Sequence, residues 1–419
     1  MSAWVPFNQT VLYDAYPLPS SVGAHAVTVL AGRGFYTTGS FACKKPLGSG
    51  GFCGEAPAVR LLLVVQQKGM APQAHKLSDL TDRRQTKLAV SPVISGRFGA
   101  VKADDPWLGT TIDWTQWLTD DGWVAPLAVP DVPPGKPSAL AVERVQTSGT
   151  ATSNLPSTPL SVTKIGSSTW HYKFSRNIVG HVVVKGDSYN GAGNISINHC
   201  EVMNGTACSG LARLWSGLGT DVHMVGASTG ASLSPRFTWH GFQHVLLTVS
   251  GDTTFDGELN SLMAVWTVAN VAESATIDFG GPGAELLTAI RDITKASQLG
   301  NMAGYIPTDC PTREKHGWLG DAQVTAEEAM YNVFTPALFE LFIDMIADQQ
   351  LEEGPYEGFV PIVVPGPVQQ PGDISWTAAY PLITNWAHQY YGDVAIIQRQ
   401  WAGLERFTDG LLRVAGDNG

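Results

Sequence analysis

Residues 309–321 read Asp-Cys-Pro-Thr-Arg-Glu-Lys-His-Gly-Trp-Leu-Gly-Asp and hold the densest set of reactive side chains in this chain. The reactive groups are three carboxylates, one guanidinium and one indole, on Asp309, Glu314, Asp321, Arg313 and Trp318. Proline and glycine recur through the stretch, so it is predicted to form neither one regular helix nor one strand. Charged residues on irregular backbone often face a ligand. The stretch is therefore the predicted functional loop.

The chemistry of this loop suits a sugar, because a sugar ring has an apolar face for an indole and hydroxyls for carboxylates. Glycosidic bonds are hydrolysed by paired acids, and the acid that protonates the leaving oxygen needs a raised pKa. Glu314 is the candidate, since Asp309 and Asp321 flank it and like charges raise a carboxyl pKa. Arg313 is a candidate for binding hydroxyls, and Trp318 for stacking on the ring. The residues thus favour a glycoside hydrolase. An ion-pair network at a helix junction, with a core tryptophan, is the alternative.

Composition limits the other classes of function. The chain has 419 residues, 44% hydrophobic and 15% charged, which indicates a folded protein of two or three domains. A net charge of −11 argues against nucleic acid or an anionic membrane as partner. No apolar run approaches the roughly 20 residues that span a bilayer, and residues 1–10 lack the pattern of a signal peptide.

The cysteines form two closely spaced pairs. Cys43 and Cys53 flank one turn, and Cys200 and Cys208 flank another, so each pair can close a short loop by disulfide. Cys310 is left alone inside the charged loop. Disulfides persist in oxidising compartments, so the pattern favours secretion. Five reduced thiols in a cytosolic protein are the alternative.

The pattern of apolar residues changes along the chain. Residues before about 280 read as short strands, with a Pro-, Ser-, Thr- and Gly-rich stretch at 130–159 that marks a linker between two β-domains. Later residues have helical spacing. Thr325-Ala-Glu-Glu328 predicts a helix start by a capping box, Thr335-Pro336 predicts another, and Asp393 predicts a cap before residues 394–414. Apolar stripes mark two of these helices: Leu287, Ile290 and Ile293 in the first, and Leu338, Leu341, Phe342, Met345 and Ile346 in a later one.

The loop resembles the signature of the bacterial-type α-L-rhamnosidases, glycoside hydrolase family seventy-eight. That signature reads Asp-Cys-Pro-x-Arg-Glu-Lys-x-Gly-Trp, often followed by Gly-Asp, and eleven or so positions agree here. Weaker similarity lies on both sides. Residues 236–242 and 177–180 resemble strands of the family's β-sandwich, and residues 373–376 and 390–393 resemble a later stretch of its helical barrel.

The resemblance implies a multidomain β + α protein. Residues 1–135 would form an accessory β-sandwich, 136–159 a linker, 160–280 a β-sandwich preceding the barrel, and 281–419 the N-terminal part of an (α/α)6 barrel. It implies inverting hydrolysis of terminal non-reducing α-L-rhamnose from rhamnosides. The partner would be a rhamnose-containing glycoside or polysaccharide, and neither a cofactor nor a metal is expected.

The resemblance also assigns residues by motif position. Glu314 corresponds to the family's general acid. Asp309, Arg313 and Asp321 correspond to sugar-binding or pKa-setting residues, and Trp318 and Trp376 correspond to aromatic walls of the rhamnose pocket. The general base of the family comes from a late barrel loop that has no counterpart here, so we expect this chain to be an inactive piece of a longer enzyme. The alternative function is a non-catalytic carbohydrate-binding β-sandwich protein with a degenerate helical domain.

Overall fold

The structure is a computed structural model that describes residues 158–209, 219–225, 232–235, 239–269, 271–304, 306–312, 315–365 and 373–416. Before residue 158 it describes the backbone of short strands: β1 Thr10–Tyr13, β2 Leu62–Val65, β3 Gln73–Lys76, β4 Val93–Arg97, β5 Ala100–Ala103, β6 Lys136–Ala139 and β7 Arg144–Gln146. Arg313, Glu314, Cys43 and Cys53 lie outside the described residues.

The part between residues 158 and 269, here called the β-domain, consists of strands and one 3-10 turn. The strands are β8 Ser161–Lys164, β9 Thr169–Val184, β10 Tyr189–Asn190, β11 Gly193–Cys200, β12 Met203–Asn204, β13 Ala207–Cys208, β14 Thr220–Val225, β15 His240–Gly251, β16 Thr254–Phe255 and β17 Leu262–Val268. The described strands include a nine-stranded sheet in the order β4-β5-β14-β11-β15-β9-β17-β7, with β8 paired to β9. Its neighbours are antiparallel apart from β5 and β14.

Alternation of side chains explains the β-domain core. Trp170, Tyr172 and Phe174 are buried along β9, as are Ile195 and Ile197 along β11, because every second side chain of a strand points to the same face. Full burial of each large apolar side chain contributes about 1.5–3 kcal/mol. The strand signals of the sequence thus correspond to a real apolar face.

Residues 136–159, predicted as a linker, contribute two of the short strands. Strand β6 pairs in parallel with β1, and β7 pairs with β17 at one end of the large sheet. Pro137 lies in β6, which has one described neighbour, and proline is tolerated on an edge strand. A composition rich in proline and serine therefore accommodates strand pairing here.

The part after residue 280, here called the helical domain, contains the described helices. They are α1 Ala284–Gly300, α2 Leu319–Asn332, α3 Pro336–Asp348, α4 Ile374–Thr377, α5 Ala379–Tyr391 and α6 Val394–Ala415. A small ladder pairs β18 Ala272–Glu273, in the segment between the two parts, with β19 Val333–Phe334 of the helical domain. The predicted order of a β-rich part followed by a helical part is confirmed. Among the described residues, none of the helices combines the length and apolar character that a membrane crossing requires.

Two helix starts were predicted correctly. Helix α3 begins at Thr335-Pro336, with proline in its first turn, where the missing N–H leaves no helical bond unmade. Its predicted stripe is buried or packed on the core, including Leu338, Phe342 and Ile346 at 0% exposure. Helix α6 begins after Asp393, whose carboxylate accepts a hydrogen bond from the Ile396 amide at 3.0 Å.

The predicted capping box at Thr325 is wrong. Helix α2 already begins at Leu319, and the Thr325 hydroxyl donates to the carbonyl of Asp321 at 2.8 Å inside the helix. The cause is tertiary packing, because α2 buries a continuous stripe at helical spacing and burial outweighs a local cap. That stripe is Leu319, Ala322, Ala326, Ala329 and Met330.

Helix α1 confirms a predicted helix but leaves its apolar stripe open. Leu287, Ile290 and Ile293 are 46%, 47% and 62% exposed, whereas Gln298 and Gly300 at the end of the helix are buried. Helical spacing therefore predicted the helix correctly, but the described residues do not cover its apolar face.

The structure tests the predictions for three of the five cysteines. Cys200 and Cys208 form a disulfide with a Cα–Cα distance of 5.6 Å, which ties the end of β11 to β13. Cys310 has a free thiol, as predicted. The predicted Cys43–Cys53 pair lies outside the described residues.

Replacing both disulfide cysteines, Cys200→Ser with Cys208→Ser, should lower the free energy of unfolding by about 2–3 kcal/mol, because the bridge restricts the unfolded chain by closing a short loop. Urea denaturation of the oxidised protein measures the difference. Cys310→Ser is the control, since it removes a thiol that closes no loop. A double variant as stable as the wild type would contradict the assignment.

Candidate functional site

The charged loop is closed by its first residue. The backbone amide of Asp309 donates to the carbonyl of His316 at 3.0 Å, and the amide of His316 donates back to Oδ1 of Asp309 at 2.9 Å. Oδ2 of Asp309 accepts a hydrogen bond from the thiol of Cys310 at 3.3 Å. These bonds hold the ends of the segment together, so the half-buried carboxylate of Asp309 shapes the loop itself.

The charged loop packs closely against glycine backbone on one side and places its own glycine backbone against a neighbouring segment on the other. A Cβ atom on Gly317 would overlap the carbonyl oxygen of Val364, and the Val364 amide donates to the Gly317 carbonyl at 2.8 Å. On the other side, a Cβ atom on Gly241 of β15 would lie 2.9 Å from Pro311 Cγ and 3.1 Å from Thr312 Cγ2. Both glycines are therefore needed where backbone and loop meet.

Trp318 and Asp321 lie at the start of α2. Trp318 is the half-buried N-cap residue, and its backbone bridges to Val363. Asp321 is half-buried in the first turn, where a carboxylate interacts favourably with the helix dipole. The glycines of the loop were expected to interrupt regular structure. Gly320 instead lies inside the first turn of α2.

Trp376 joins the same place from another helix. It lies on α4 with 37% of its surface exposed, and its indole covers Gly320 so closely that a Cβ atom there would overlap the ring. The structure therefore brings Trp376 against the first turn of α2, the turn that follows Trp318 and contains Asp321. Arg313 and Glu314, the remaining predicted site residues, lie outside the described residues.

Lys315 points into the β-domain. Its side chain is buried at 4% exposure, its Nζ donates a hydrogen bond to the backbone carbonyl of Trp239, and Nζ lies 5.2 Å from the centre of the Trp239 ring. Burial lowers the pKa of Lys315 to about 8, while the charge of Asp221 acts to raise it. The ammonium therefore keeps its proton near neutral pH.

Asp221 belongs to a buried polar cluster under the loop. Both of its carboxylate oxygens lie 3.1 Å from Nε2 of His240, and the His240 ring stacks on His199 with centroids 4.2 Å apart. Burial, with His240 beside it, lowers the pKa of His199 to about 3, and burial also lowers the pKa of His240. These two imidazoles are therefore neutral. Burial raises the pKa of Asp221, and the nearby histidines and Lys315 oppose that rise.

The ligand types in this cluster match a metal site, but their arrangement does not. Possible ligand atoms of His199, Asp221 and His240 lie within 4.8 Å of one another. The two imidazole planes are, however, only 16° from parallel, so their in-plane lone pairs do not converge on one ion. The ammonium of Lys315 also influences both Asp221 and His240, as a second cation would. The cluster fits a packed, charge-balanced core better than a metal centre.

Sequence reasoning did not identify this cluster. Asp221 and His223 alternate along β14, a pattern that in a strand usually indicates a solvated face. His199 and His240 come from two further strands that adjoin only in the folded sheet. The one available signal was the resemblance of residues 236–242, which include His240, to a strand of the family's β-sandwich. That resemblance does not indicate which side chains contact His240.

Two family models match the chain. Residues 163–265 match the bacterial alpha-L-rhamnosidase concanavalin-like domain, and residues 283–418 match the bacterial alpha-L-rhamnosidase 6 hairpin glycosidase domain. Together they cover more than half of the 419 residues. The second match contains the whole charged loop and Trp376.

Individual proteins agree with these matches. An alpha-L-rhamnosidase of Streptomyces avermitilis is 26% identical over 99% of this chain and 39% of its own length. One of Formosa agariphila is 24% identical over 99% of this chain and 43% of its own length. The chain therefore spans less than half the length of these relatives.

Solved structures share the fold. The alpha-L-rhamnosidase of Dictyoglumus thermophilum has a TM-score of 0.69 at 23% identity, covering 85% of this chain and 38% of that one. The Streptomyces avermitilis alpha-L-rhamnosidase complexed with L-rhamnose has a TM-score of 0.66 at 20% identity, covering 85% and 32%. The predicted fold class, a sheet-rich region followed by a helical six-hairpin glycosidase domain, is thus confirmed.

Burial of Lys315 gives stability a defined pH dependence. Its pKa is about 8 in the folded state and 10.5 as the ordinary value, so between these pH values the unfolded chain binds a proton that the folded chain does not. The free energy of unfolding should therefore rise with pH across this window, by at most about 3 to 4 kcal/mol relative to Lys315→Met. Denaturant titrations of both proteins at several pH values measure the difference, and parallel curves would contradict the buried ammonium.

Proposed function

Because the chain belongs to the bacterial α-L-rhamnosidase family, we propose that the protein is a glycoside hydrolase that releases terminal non-reducing α-L-rhamnose from rhamnosides with inversion of configuration. Glu314 is the proposed general acid. We assign no residue of this chain to the general base that inversion requires. The proposed partner is a rhamnose-containing glycoside or polysaccharide.

The observation that carries the proposal is the contact across Gly320. Trp376 covers this glycine, and Asp321 is the next residue along α2, so an exposed aromatic surface lies against the helical turn that carries a carboxylate. An indole binds the apolar face of a sugar, and a carboxylate accepts hydrogen bonds from its hydroxyls. The pairing supports a sugar-binding role for Asp321, Trp318 and Trp376.

The carboxylates of the loop also support an acid of raised pKa. Asp309 and Asp321 lie on either side of Glu314 in sequence, and each anionic neighbour raises the pKa of a nearby carboxyl group. A proton kept on Glu314 near neutral pH would be available to the departing glycosidic oxygen. Arg313 would balance the negative charge or bind hydroxyls of the sugar, and Asp309 would act mainly by holding the loop closed.

The disulfide supports a proposed location. A bond between Cys200 and Cys208 persists in oxidising surroundings such as the cell exterior. Secretion is therefore the proposed localisation.

Glu314→Gln should lower kcat on an aryl α-L-rhamnoside by about 10²–10⁴-fold and leave KM nearly unchanged, because the amide cannot protonate the leaving oxygen. The measurement uses the protein expressed from the complete reading frame of its gene. Glu285→Gln makes the same chemical change on the exposed first turn of α1 and should retain full activity. Normal turnover by Glu314→Gln would end the assignment of this residue.

The stereochemical course is tested on the same protein. Proton NMR during hydrolysis of an aryl α-L-rhamnoside should show β-L-rhamnose as the first product, before mutarotation, as inversion requires. First formation of the α anomer would refute inversion. Saturable rhamnose binding without turnover would instead identify a carbohydrate-binding protein.

A further inference from the structure

Lys315 is the residue that follows Glu314 in the chain, and it is anchored in the other domain. Its Nζ donates to the carbonyl of Trp239, the residue before β15, and the ammonium lies over the Trp239 indole. The far edge of the same indole packs 3.5 Å from the position of a Cβ on Gly304. One lysine side chain thus connects the charged loop to the first residues of a central strand of the β-domain.

The backbone of Lys315 is held in an unfavourable conformation. Its φ of 56° is the one positive value for a non-glycine residue among the described residues. A side chain in this left-handed region costs about 1–2 kcal/mol, and such a conformation persists only when the surroundings impose it. Here the surroundings are the buried side-chain contacts just described, so the anchor determines the direction of the backbone.

The charge of Asp221 favours the protonated form of Lys315. The Asp221 side chain is 1% exposed, and its charge is the largest influence that favours the protonated lysine. His199 and His240 around it are neutral, because burial lowers the pKa of both. Removing either partner of a buried charge pair leaves the other uncompensated, which is more costly than removing both.

The chain before Glu314 is fixed to the same strand. Pro311 and Thr312 pack against Gly241, two residues along from Trp239. Thr312 and Lys315 therefore both contact the start of β15, and Arg313 and Glu314 are the two residues between them in sequence. The β-domain holds both ends of this short span.

We propose that Lys315 is a positioning residue for the general acid, because its bond to Trp239 fixes the backbone next to Glu314 in the chain. The inference rests on the proposed function and extends it. The β-domain then contributes to hydrolysis by orienting the acid, although its polar cluster does not touch the sugar.

Leaving-group dependence separates this role from a general loss of structure. A glycoside with a poor leaving group, such as methyl α-L-rhamnoside, needs full protonation of the departing oxygen, whereas 2,4-dinitrophenyl α-L-rhamnoside needs little. A misdirected acid therefore slows the first substrate selectively. Lys315→Met should lower kcat about 100-fold on the methyl glycoside and less than about fivefold on the dinitrophenyl glycoside. Asp221→Asn should show the same selectivity.

Controls address folding and charge. Lys295→Met removes another lysine from an ion pair of the helical domain, with Glu273 at 2.8 Å, and should leave both rates unchanged. The double variant Lys315→Met with Asp221→Asn leaves no uncompensated charge, so it should unfold at a higher denaturant concentration than Asp221→Asn alone. This variant keeps the test decisive if one of the single variants fails to fold.

Hydrogen exchange gives a readout that does not depend on activity. The amides of Asp309 and Leu319 donate to His316 and Ile362 within and beside the loop. Both should exchange faster in Lys315→Met than in the wild type, while amides of α3 remain unchanged. Unchanged exchange of these loop amides would contradict the proposal that Lys315 anchors the loop.

The outcomes separate the two proposals. Equal losses on both glycosides, or no loss on either, would overturn the positioning role while leaving the rhamnosidase assignment intact. If the wild-type protein hydrolyses neither glycoside, the proposed function fails, and the positioning role fails with it. The exchange measurement then still decides whether Lys315 anchors the loop.

Discussion

The main constraint in this structure is close packing of the charged loop at positions that have no side chain. Gly241 receives Pro311 and Thr312, Gly317 meets the carbonyl of Val364, and Gly320 is covered by Trp376. A single methyl group at any of these positions would push apart the surfaces that form the site. The loop is irregular backbone, yet these contacts and the hydrogen bonds of Asp309 give it a defined path.

This packing brings groups of the two domains together. The β-domain provides a strand end and a buried polar cluster, and the helical domain provides the start of α2 and the indole of Trp376. A small apolar contact of Val179, Trp239 and Ala303 closes the junction between them. Sites at domain junctions are common, because two rigid surfaces can orient groups that one irregular segment cannot hold.

The sequence predicted the features that depend on nearby residues. Helix α3 was identifiable because a proline start and an apolar stripe lie within a few turns, and the disulfide because its cysteines are eight residues apart. The start of α2 was missed, because burial of the apolar stripe that begins at Leu319 stabilises the helix more than a cap at Thr325 would. Separately, the resemblance to a known family, rather than spacing, indicated the function of the loop.

The buried partners of Lys315 were beyond sequence reasoning. Asp221, Trp239 and His240 lie some 75 to 95 positions before it, and only strand pairing and domain contact bring them together. The residues around Lys315 in sequence do not indicate burial, whereas in the structure it is 4% exposed. Residues distant in sequence can bury a charged side chain, and the sequence near that residue does not indicate it.

The most direct test of the account is a crystal structure of the Glu314→Gln variant, expressed from the complete reading frame, with a bound aryl α-L-rhamnoside. The account predicts that the rhamnose ring stacks on Trp376, that its hydroxyls bind Asp321, and that the glycosidic oxygen faces residue 314. A sugar bound elsewhere, with Trp376 and Asp321 untouched, would contradict the central claim that this loop is the catalytic site.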